Sequence, residues 1–154
     1  MSERSTEHAA FVVERVYDAS PDRVFAAWSD PEAKARWFDG PEGKWELNFR
    51  VGGWERRRGM LPDGREYTFE AHYRDIVPGR RIVYTYEMLL DRDRISVSVA
   101  TAEFSRERDG TRLLYTEQGA FLDGHEMPAR REHGMGSLLD SLAPWLQSSR
   151  PDGD

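Results

Sequence analysis

Residues 128–147 read PARREHGMGSLLDSLAPWLQ and carry the longest helical pattern in the chain. Apolar side chains recur there at positions i, i+3, i+4, i+7 and i+11, as Met135, Leu138, Leu139, Leu142 and Leu146. This spacing is typical of a helix that buries one face, so it predicts a long C-terminal helix packed on the rest of the domain. Pro144 cannot donate a backbone hydrogen bond, and we expect the last turn to bend or loosen around it.

Residues 44–121 carry short β-rich runs separated by turn signals, which predicts an antiparallel meander of about six strands. Apolar side chains alternate along residues 67–73 and again along residues 81–88, which is the period of a half-buried strand. We expect these apolar faces to point inward and His72, on the opposite parity, to face solvent. The turn signals are Gly52-Gly53, Pro62-Asp63-Gly64, Pro78-Gly79, Asp91-Arg92-Asp93 and Asp109-Gly110.

The N-terminal part of the chain predicts one strand and two short helices. Residues 9–17 combine β-branched and aromatic side chains with few helix formers. Two helix starts follow, at Ser20-Pro21-Asp22 and at Asp30-Pro31-Glu32, each with a capping side chain, a proline and an acidic residue in the first turn. The order is therefore strand, two helices, about six strands and a long helix, in an α+β domain.

The composition limits the classes of function. The chain has 154 residues, and we expect one domain over residues 9–147 between a flexible N-terminus (1–8) and a frayed tail (148–154). Its 22 basic and 28 acidic residues give a net charge of −6, which argues against a nucleic-acid partner. The absence of cysteine excludes disulfides, thiolate metal sites and a cysteine nucleophile. No apolar run approaches the roughly 18 residues of a membrane span, so we expect a cytoplasmic protein with no membrane partner.

Several motifs recur in the order found in a known superfamily. They are Arg36-Trp37-Phe38, Phe49-Arg50-Val51-Gly52-Gly53, Asp75-Ile76-Val77-Pro78, Arg81-Ile82-Val83-Tyr84 and Thr116-Glu117-Gln118-Gly119-Ala120-Phe121-Leu122-Asp123-Gly124. Residues 9–147 thereby resemble the SRPBCC superfamily of START domains, polyketide cyclases and birch-pollen allergens, and within it the homologues of the heat-shock-protein-ninety ATPase activator. The resemblance implies a helix-grip fold, in which a curved antiparallel sheet wraps around the long C-terminal helix. Because this fold serves transporters, cyclases, allergens and co-chaperones, function has to be argued from the site.

A cavity between the helix and the sheet is the main site hypothesis. Aromatic side chains are frequent here, and such side chains commonly line concave ligand sites, although they also fill cores. On residues 95–104 the small side chains share one parity with Phe104, which points inward in the superfamily's pattern; the alternative facing places the valines inside. The predicted ligand-binding residues are Trp37, Phe38, Trp54, Tyr84, Tyr86, Ser98, Tyr115, Met135, Leu138 and Leu139.

Two glycines and a basic run call for a structural or a functional reason. Gly134 and Gly136 each cost the predicted helix about 1 kcal/mol relative to alanine. Either they open the pocket or they let the helix pack closely on the sheet. Residues 56–58 are three consecutive arginines, which we expect to form a solvated strand edge. The alternative is that Arg56 or Arg58 meets an anionic ligand group.

Glu117 is the candidate catalytic residue. It shares a face with Leu113 and Tyr115, and in the superfamily's pattern that face is the inward one, so the carboxylate should reach the cavity wall. A buried carboxylate either pairs with a cation or takes up a proton. We expect pairing with Arg50 or Arg131; the alternative is a general acid or base.

The sequence thus leads to one main functional hypothesis and two alternatives. The main one is a protein that binds a small, largely hydrophobic or aromatic molecule. The alternatives are a cyclase or dehydratase that uses Glu117 with Tyr84 or Tyr86, and an interaction protein that modulates a chaperone. No catalytic triad or phosphate loop is present, and no cofactor is expected. The cluster of His125, Glu126, Glu132 and His133 lacks the spacing of a helical zinc site, so no metal is expected. The oligomeric state is open, a homodimer included.

Overall fold

The computed structural model describes residues 4–38 and 44–149. Its elements follow the predicted order: one strand, two short helices, six strands and a long helix. Their bounds are β1 Thr6–Tyr17, α1 Pro21–Ser29, α2 Pro31–Phe38, β2 Lys44–Leu47, β3 Trp54–Met60, β4 Glu66–Val77, β5 Arg81–Leu90, β6 Asp93–Glu107, β7 Gly110–Leu122 and α3 Pro128–Ser148.

The strands form one curved, open antiparallel sheet. Its order is β1-β7-β6-β5-β4-β3-β2, so β2 to β7 form the predicted meander and β1 adds to its far side beside β7. Strand β1 begins at Thr6, earlier than expected, and pairs with β7 from Thr6↔Leu122 to Tyr17↔Thr111. Residues 1–3 of the predicted flexible N-terminus and residues 150–154 of the predicted frayed tail lie outside the described ranges. This architecture confirms the predicted α+β helix-grip fold.

Helix α3 packs on the sheet by its predicted face. Met135, Leu139, Leu142 and Leu146 are buried, and Leu138 is half-buried beside the cavity described below. The Tyr17 hydroxyl donates a 2.7 Å hydrogen bond to the carbonyl oxygen of Leu139, which fixes the helix to β1. The helix continues past Pro144 as far as Ser148. Among the described residues, no helix is long and apolar enough to cross a membrane.

The alternation along β6 settles which face of this strand is inward. The small side chains of the strand and Phe104 are buried, whereas Val97 and Val99 are 44% and 39% exposed. Of the two facings left open by the sequence, the one with small residues inside is therefore the correct one. A Cβ atom added at Gly119 on β7 would lie only 2.5 Å from the hydroxyl oxygen of Ser98 on β6. The close approach of the two strands therefore requires glycine at position 119.

The two short helices close one end of the sheet with aromatic packing. Ser20 caps α1, because its hydroxyl accepts a 3.3 Å hydrogen bond from the Arg23 amide. Trp28 packs against Trp37 and against Phe104, at centroid distances of 5.0 and 6.1 Å. The Trp37 indole N–H donates to the carbonyl oxygen of Ala27 at 2.8 Å, so α2 is held against α1.

Candidate functional site

A cavity of about 520 Å³ lies between the concave face of the sheet and the first half of α3. This volume is within the range of small-molecule sites. Its walls are mostly aromatic and aliphatic, because the inward faces of β4 and β5 carry Phe69, Tyr84, Tyr86 and Met88 toward the helix. Gly134 of α3 also lines the cavity, and because it has no side chain the space beside the helix stays open there.

Six of the ten predicted ligand-binding residues line this cavity. They come from four separate elements, which the fold brings together around one space. The helix contributes two of them, β5 two, and α2 and β7 one each. These residues are Phe38, Tyr84, Tyr86, Tyr115, Met135 and Leu138.

The other four predicted ligand-binding residues lie away from the cavity. Trp37 is buried in the packing between α1 and α2, and Leu139 is buried toward β1, where its carbonyl meets Tyr17. Ser98 faces inward as expected, but it is 2% exposed and covered beside Gly119. Trp54 was expected to face the cavity, but it is 38% exposed on the outer face of β3, where it pairs with the exposed His72 of β4.

Glu117 lies on the inner face of β7 and is 1% exposed. Its two carboxylate oxygens accept hydrogen bonds from the hydroxyls of Tyr86 at 2.7 Å and Tyr115 at 2.6 Å. The Arg131 guanidinium is 3.5 Å away and donates to the Tyr86 hydroxyl at 2.9 Å. Arg131 is therefore the cation that pairs with Glu117, and the exposed Arg50 is not.

The tyrosines of this cluster stay protonated at neutral pH. Burial raises the pKa of Tyr86, and the negative charge of Glu117 raises it further, although Arg131 opposes this effect. Burial is also the largest cause of the raised pKa of Tyr115. Both phenols are thus hydrogen-bond donors to Glu117.

Arg131 joins the start of α3 to the sheet. Its Nε and Nη2 atoms donate to the two carboxylate oxygens of Glu126, at 2.7 and 2.8 Å. Nη2 also reaches the Ser96 hydroxyl at 2.9 Å. With Glu126, Ser96, Tyr86 and Glu117 around it, this guanidinium is fully engaged by the protein itself.

A second buried polar cluster, which sequence reasoning missed, joins α2 to β3 and β4. Lys34, Glu55 and Arg57 are 1%, 1% and 3% exposed. Glu55 is its centre, because its carboxylate accepts from Lys34 Nζ at 2.5 Å, the Tyr73 hydroxyl at 2.7 Å, Trp45 Nε1 at 2.9 Å and Arg57 Nε at 3.2 Å.

The electrostatics of this cluster favour an ionised Glu55. Burial by itself would raise the pKa of this carboxyl, but the Lys34 ammonium, the hydrogen bonds from Lys34 and Trp45, and the Arg57 charge more than offset it, and the pKa lies below its usual value. Burial lowers the pKa of Lys34, against the attraction of Glu55. The Lys34 ammonium lies 4.7 Å from the centroid of the Phe38 ring, a contact that favours its charged form.

The expectation of a solvated edge at residues 56–58 was wrong for Arg57. Its guanidinium carbon lies 4.7 Å from the ring centroids of both Phe38 and Trp45, and Arg57 is part of the cavity wall. Strand β3 reads WERRRGM and has no apolar alternation to show its facing. The facing of β3 is instead indicated by the neighbouring strand β4, because Glu55 and Arg57 pair with its inward residues Ala71 and Phe69.

Residues 18–147 match the model of a family described as activator of Hsp90 ATPase homolog 1-like protein. The match covers most of the chain and all of its elements except β1. The chain belongs to this family. No curated protein matches the sequence.

Two solved structures are similar to this family member over almost their whole length. A putative uncharacterized protein from Rhizobium leguminosarum is 43% identical, with 96% of this chain and 100% of the other covered and a TM-score of 0.92. The Mll3558 protein from Rhizobium loti is 44% identical, with 92% and 99% covered and a TM-score of 0.88. DynU16, a putative protein in the dynemicin biosynthetic locus, shares the fold at 19% identity and a TM-score of 0.70, with 92% of this chain and 48% of the other covered.

The four residues of the local cluster of potential metal ligands, His125, Glu126, Glu132 and His133, lie on two different surfaces. Glu126 and His125 border the cavity, whereas Glu132 and His133 line the groove between β1 and α3. The predicted local cluster is therefore divided between two surfaces. Residues 4–38 and 44–149 contain no group of three or more histidine, aspartate or glutamate side chains placed to hold a metal ion.

Proposed function

We propose that the protein binds a small, largely hydrophobic or aromatic molecule in the cavity between the sheet and α3. The observation that supports this proposal is a space of about 520 Å³ whose wall is formed mainly by Phe38, Phe69, Tyr84, Met88 and Leu138. A well-packed interior has few voids larger than a water molecule. Burial of an apolar ligand there would remove its surface from water, at about 25 cal/mol for each Å².

A second candidate function, an enzyme of the cyclase or dehydratase type, is favoured by one specific observation. Tyr86 borders the cavity, and its hydroxyl is hydrogen-bonded to both a buried carboxylate and Arg131. Such a phenol has a path for proton exchange with Glu117. Turnover that is lost in Glu117→Gln, with ligand binding retained, would support the enzyme over the binding protein.

The direct test is a search for small molecules that co-purify with the protein, by native mass spectrometry. Leu138→Trp places a large side chain at the cavity wall, and we expect it to abolish the ligand-bound species. Val97→Trp is the matched control, because Val97 is 44% exposed on the outer face of β6. At a ligand concentration of 100 times Kd, the wild type should gain about 2.7 kcal/mol of unfolding free energy.

Three results would contradict the proposal. One is the absence of any bound molecule together with no thermal shift in a broad ligand screen. Another is equal ligand binding by the wild type and the folded Leu138→Trp variant. Stimulation of a chaperone ATPase that survives Leu138→Trp would point to the interaction protein that the family description suggests.

A further inference from the structure

Arg57 is a buried cation, and one of its buried nitrogens has no hydrogen-bond partner among the described residues. Its Nε atom donates to Glu55, and its guanidinium lies between two aromatic rings. Its Nη2 atom is buried and has no hydrogen-bond partner among the described residues. A buried donor without an acceptor is costly, so native structures seldom leave one unpaired.

Among the residues that the structure describes, the charges around Arg57 do not balance. Lys34 and Arg57 are two buried cations, and both are paired with the single carboxylate of Glu55. The cluster thus carries one positive charge in excess when all three groups are ionised. An uncompensated buried charge destabilises a protein, and an anion beside Arg57 would remove that penalty.

The side chains that line the cavity include more cations than anions, whereas the protein as a whole is acidic. The chain carries a net charge of −6. Of the described residues that line the cavity, four are arginines and one is a glutamate. That glutamate, Glu126, is bound to Arg131, and Arg65 is bound to Asp63. A cavity lined by cations in an acidic protein concentrates anions at its entrance.

We propose that the molecule bound in the cavity is a hydrophobic acid, whose carboxylate pairs with the guanidinium of Arg57. This inference rests on the proposed function and adds the chemical class of the ligand. The apolar body would lie along Phe69, Tyr84 and Met88, which line the same cavity as Arg57. Arginine suits this role, because its planar N–H donors match the geometry of a carboxylate and it remains charged when buried.

The test compares two fluorescent probes with the same aromatic body, pyrenebutyrate and its alcohol, pyrenebutanol. The wild type should bind the acid at least about tenfold more tightly than the alcohol, the effect of one charge-assisted hydrogen bond. In Arg57→Gln this preference should fall to about twofold or less, because the cation is gone. Arg56→Gln is the matched control: Arg56 is the neighbouring residue, 44% exposed and paired with Glu70, and its loss should leave the preference intact.

The remaining outcomes separate this inference from the proposed function. Equal binding of both probes by the wild type would contradict the inference that the ligand is an acid, but it would still support the proposed binding function. Loss of the preference in Arg130→Gln and not in Arg57→Gln would overturn the role of Arg57 in favour of the cavity rim. If neither probe binds, the inference about a hydrophobic acid is overturned, and the broad ligand screen described above decides the proposed function.

A crystal structure of the wild type with pyrenebutyrate gives an answer that does not depend on the folding of any variant. The inference requires the carboxylate to lie within about 3.5 Å of a guanidinium nitrogen of Arg57. A carboxylate found at Arg130 or in the solvent would overturn it.

Discussion

Glu117 and Glu55 are two buried carboxylates on the same sheet that are stabilised by different kinds of hydrogen-bond donor. Glu117 accepts from two tyrosine hydroxyls, and its cation, Arg131, is shared with Glu126. Glu55 pairs directly with Lys34 and Arg57. At both positions the carboxylate holds neighbouring elements together, since its donors come from more than one strand or helix.

Replacement of Glu117 by glutamine should lower the unfolding free energy by roughly 1 to 3 kcal/mol. The amide keeps one acceptor oxygen, so one of the two tyrosines loses its acceptor and Arg131 loses a nearby anion. Ligand affinity should change only modestly, because the Glu117 side chain is covered by Tyr86 and Tyr115. Urea unfolding followed by circular dichroism measures the change.

Glu14→Gln is the control for this measurement, because the Glu14–Arg112 pair is exposed and its loss should leave the unfolding midpoint where it was. Unchanged stability in Glu117→Gln would show that the carboxylate has no structural role. Combined with loss of turnover, such a result would favour the enzyme.

At the scale of elements, α3 contains two glycines that serve different purposes. A Cβ atom added at Gly134 would meet nothing within 4 Å, and this glycine borders the cavity. At Gly136 the same atom would lie 3.1 Å from Nη2 of Arg15, which joins β1 to Asp140 of the helix. Each of the two explanations offered by the sequence, an open pocket and close packing, therefore fits one of the glycines.

The Gly134→Ala variant should be more stable than the wild type by about 0.5 to 1 kcal/mol, because alanine is the better helix former and has room here. Gly136→Ala should gain less or nothing, because the added methyl crowds the Arg15 side chain. Thermal and urea unfolding of both variants provide the comparison. Equal gains would contradict the assignment of packing to Gly136 alone.

At the scale of the whole molecule, the concave interior holds charged clusters beside a largely apolar cavity. The cluster of Lys34, Glu55 and Arg57 links α2 to β3, and the cluster of Glu117, Arg131 and Glu126 links β7 to α3. Because the ion pairs of Glu55 require its carboxylate to be ionised, and the pKa of this carboxyl is lowered in the folded protein, the stability of the entire fold should depend on pH in the acid range.

Acid should destabilise the fold partly through Glu55. Its pKa in the folded state is below the ordinary value of 4.5, so the stability that it contributes is complete above that pH and is lost as the pH falls through the folded-state pKa. A Lys34→Met, Glu55→Leu, Arg57→Met triple variant lacks this contribution. Urea unfolding at a series of pH values from 7 to 3 should therefore show a smaller loss of stability in the triple variant. Parallel pH profiles would assign the acid loss to other carboxylates.

The sequence by itself determined the order of the elements, the antiparallel meander and the buried face of α3. These features follow from local periodicity, because a helix and a half-buried strand each need apolar residues at a fixed spacing. Proline and glycine signals marked the turns and the helix starts for the same local reasons. The cavity and six of its lining residues followed from these patterns together with the resemblance to the superfamily.

Only the tertiary structure decided the facing of β3 and, with it, the charged wall of the cavity. Strand β3 has no apolar alternation, so its facing is fixed by its pairing with β4, which turns Glu55 and Arg57 inward and Trp54 outward. Lys34 and Glu55 are 21 positions apart, and no local pattern shows that they meet. Burial of these ions becomes tolerable only when partners from α2, β2 and β4 arrive together, and that is a property of the assembled fold.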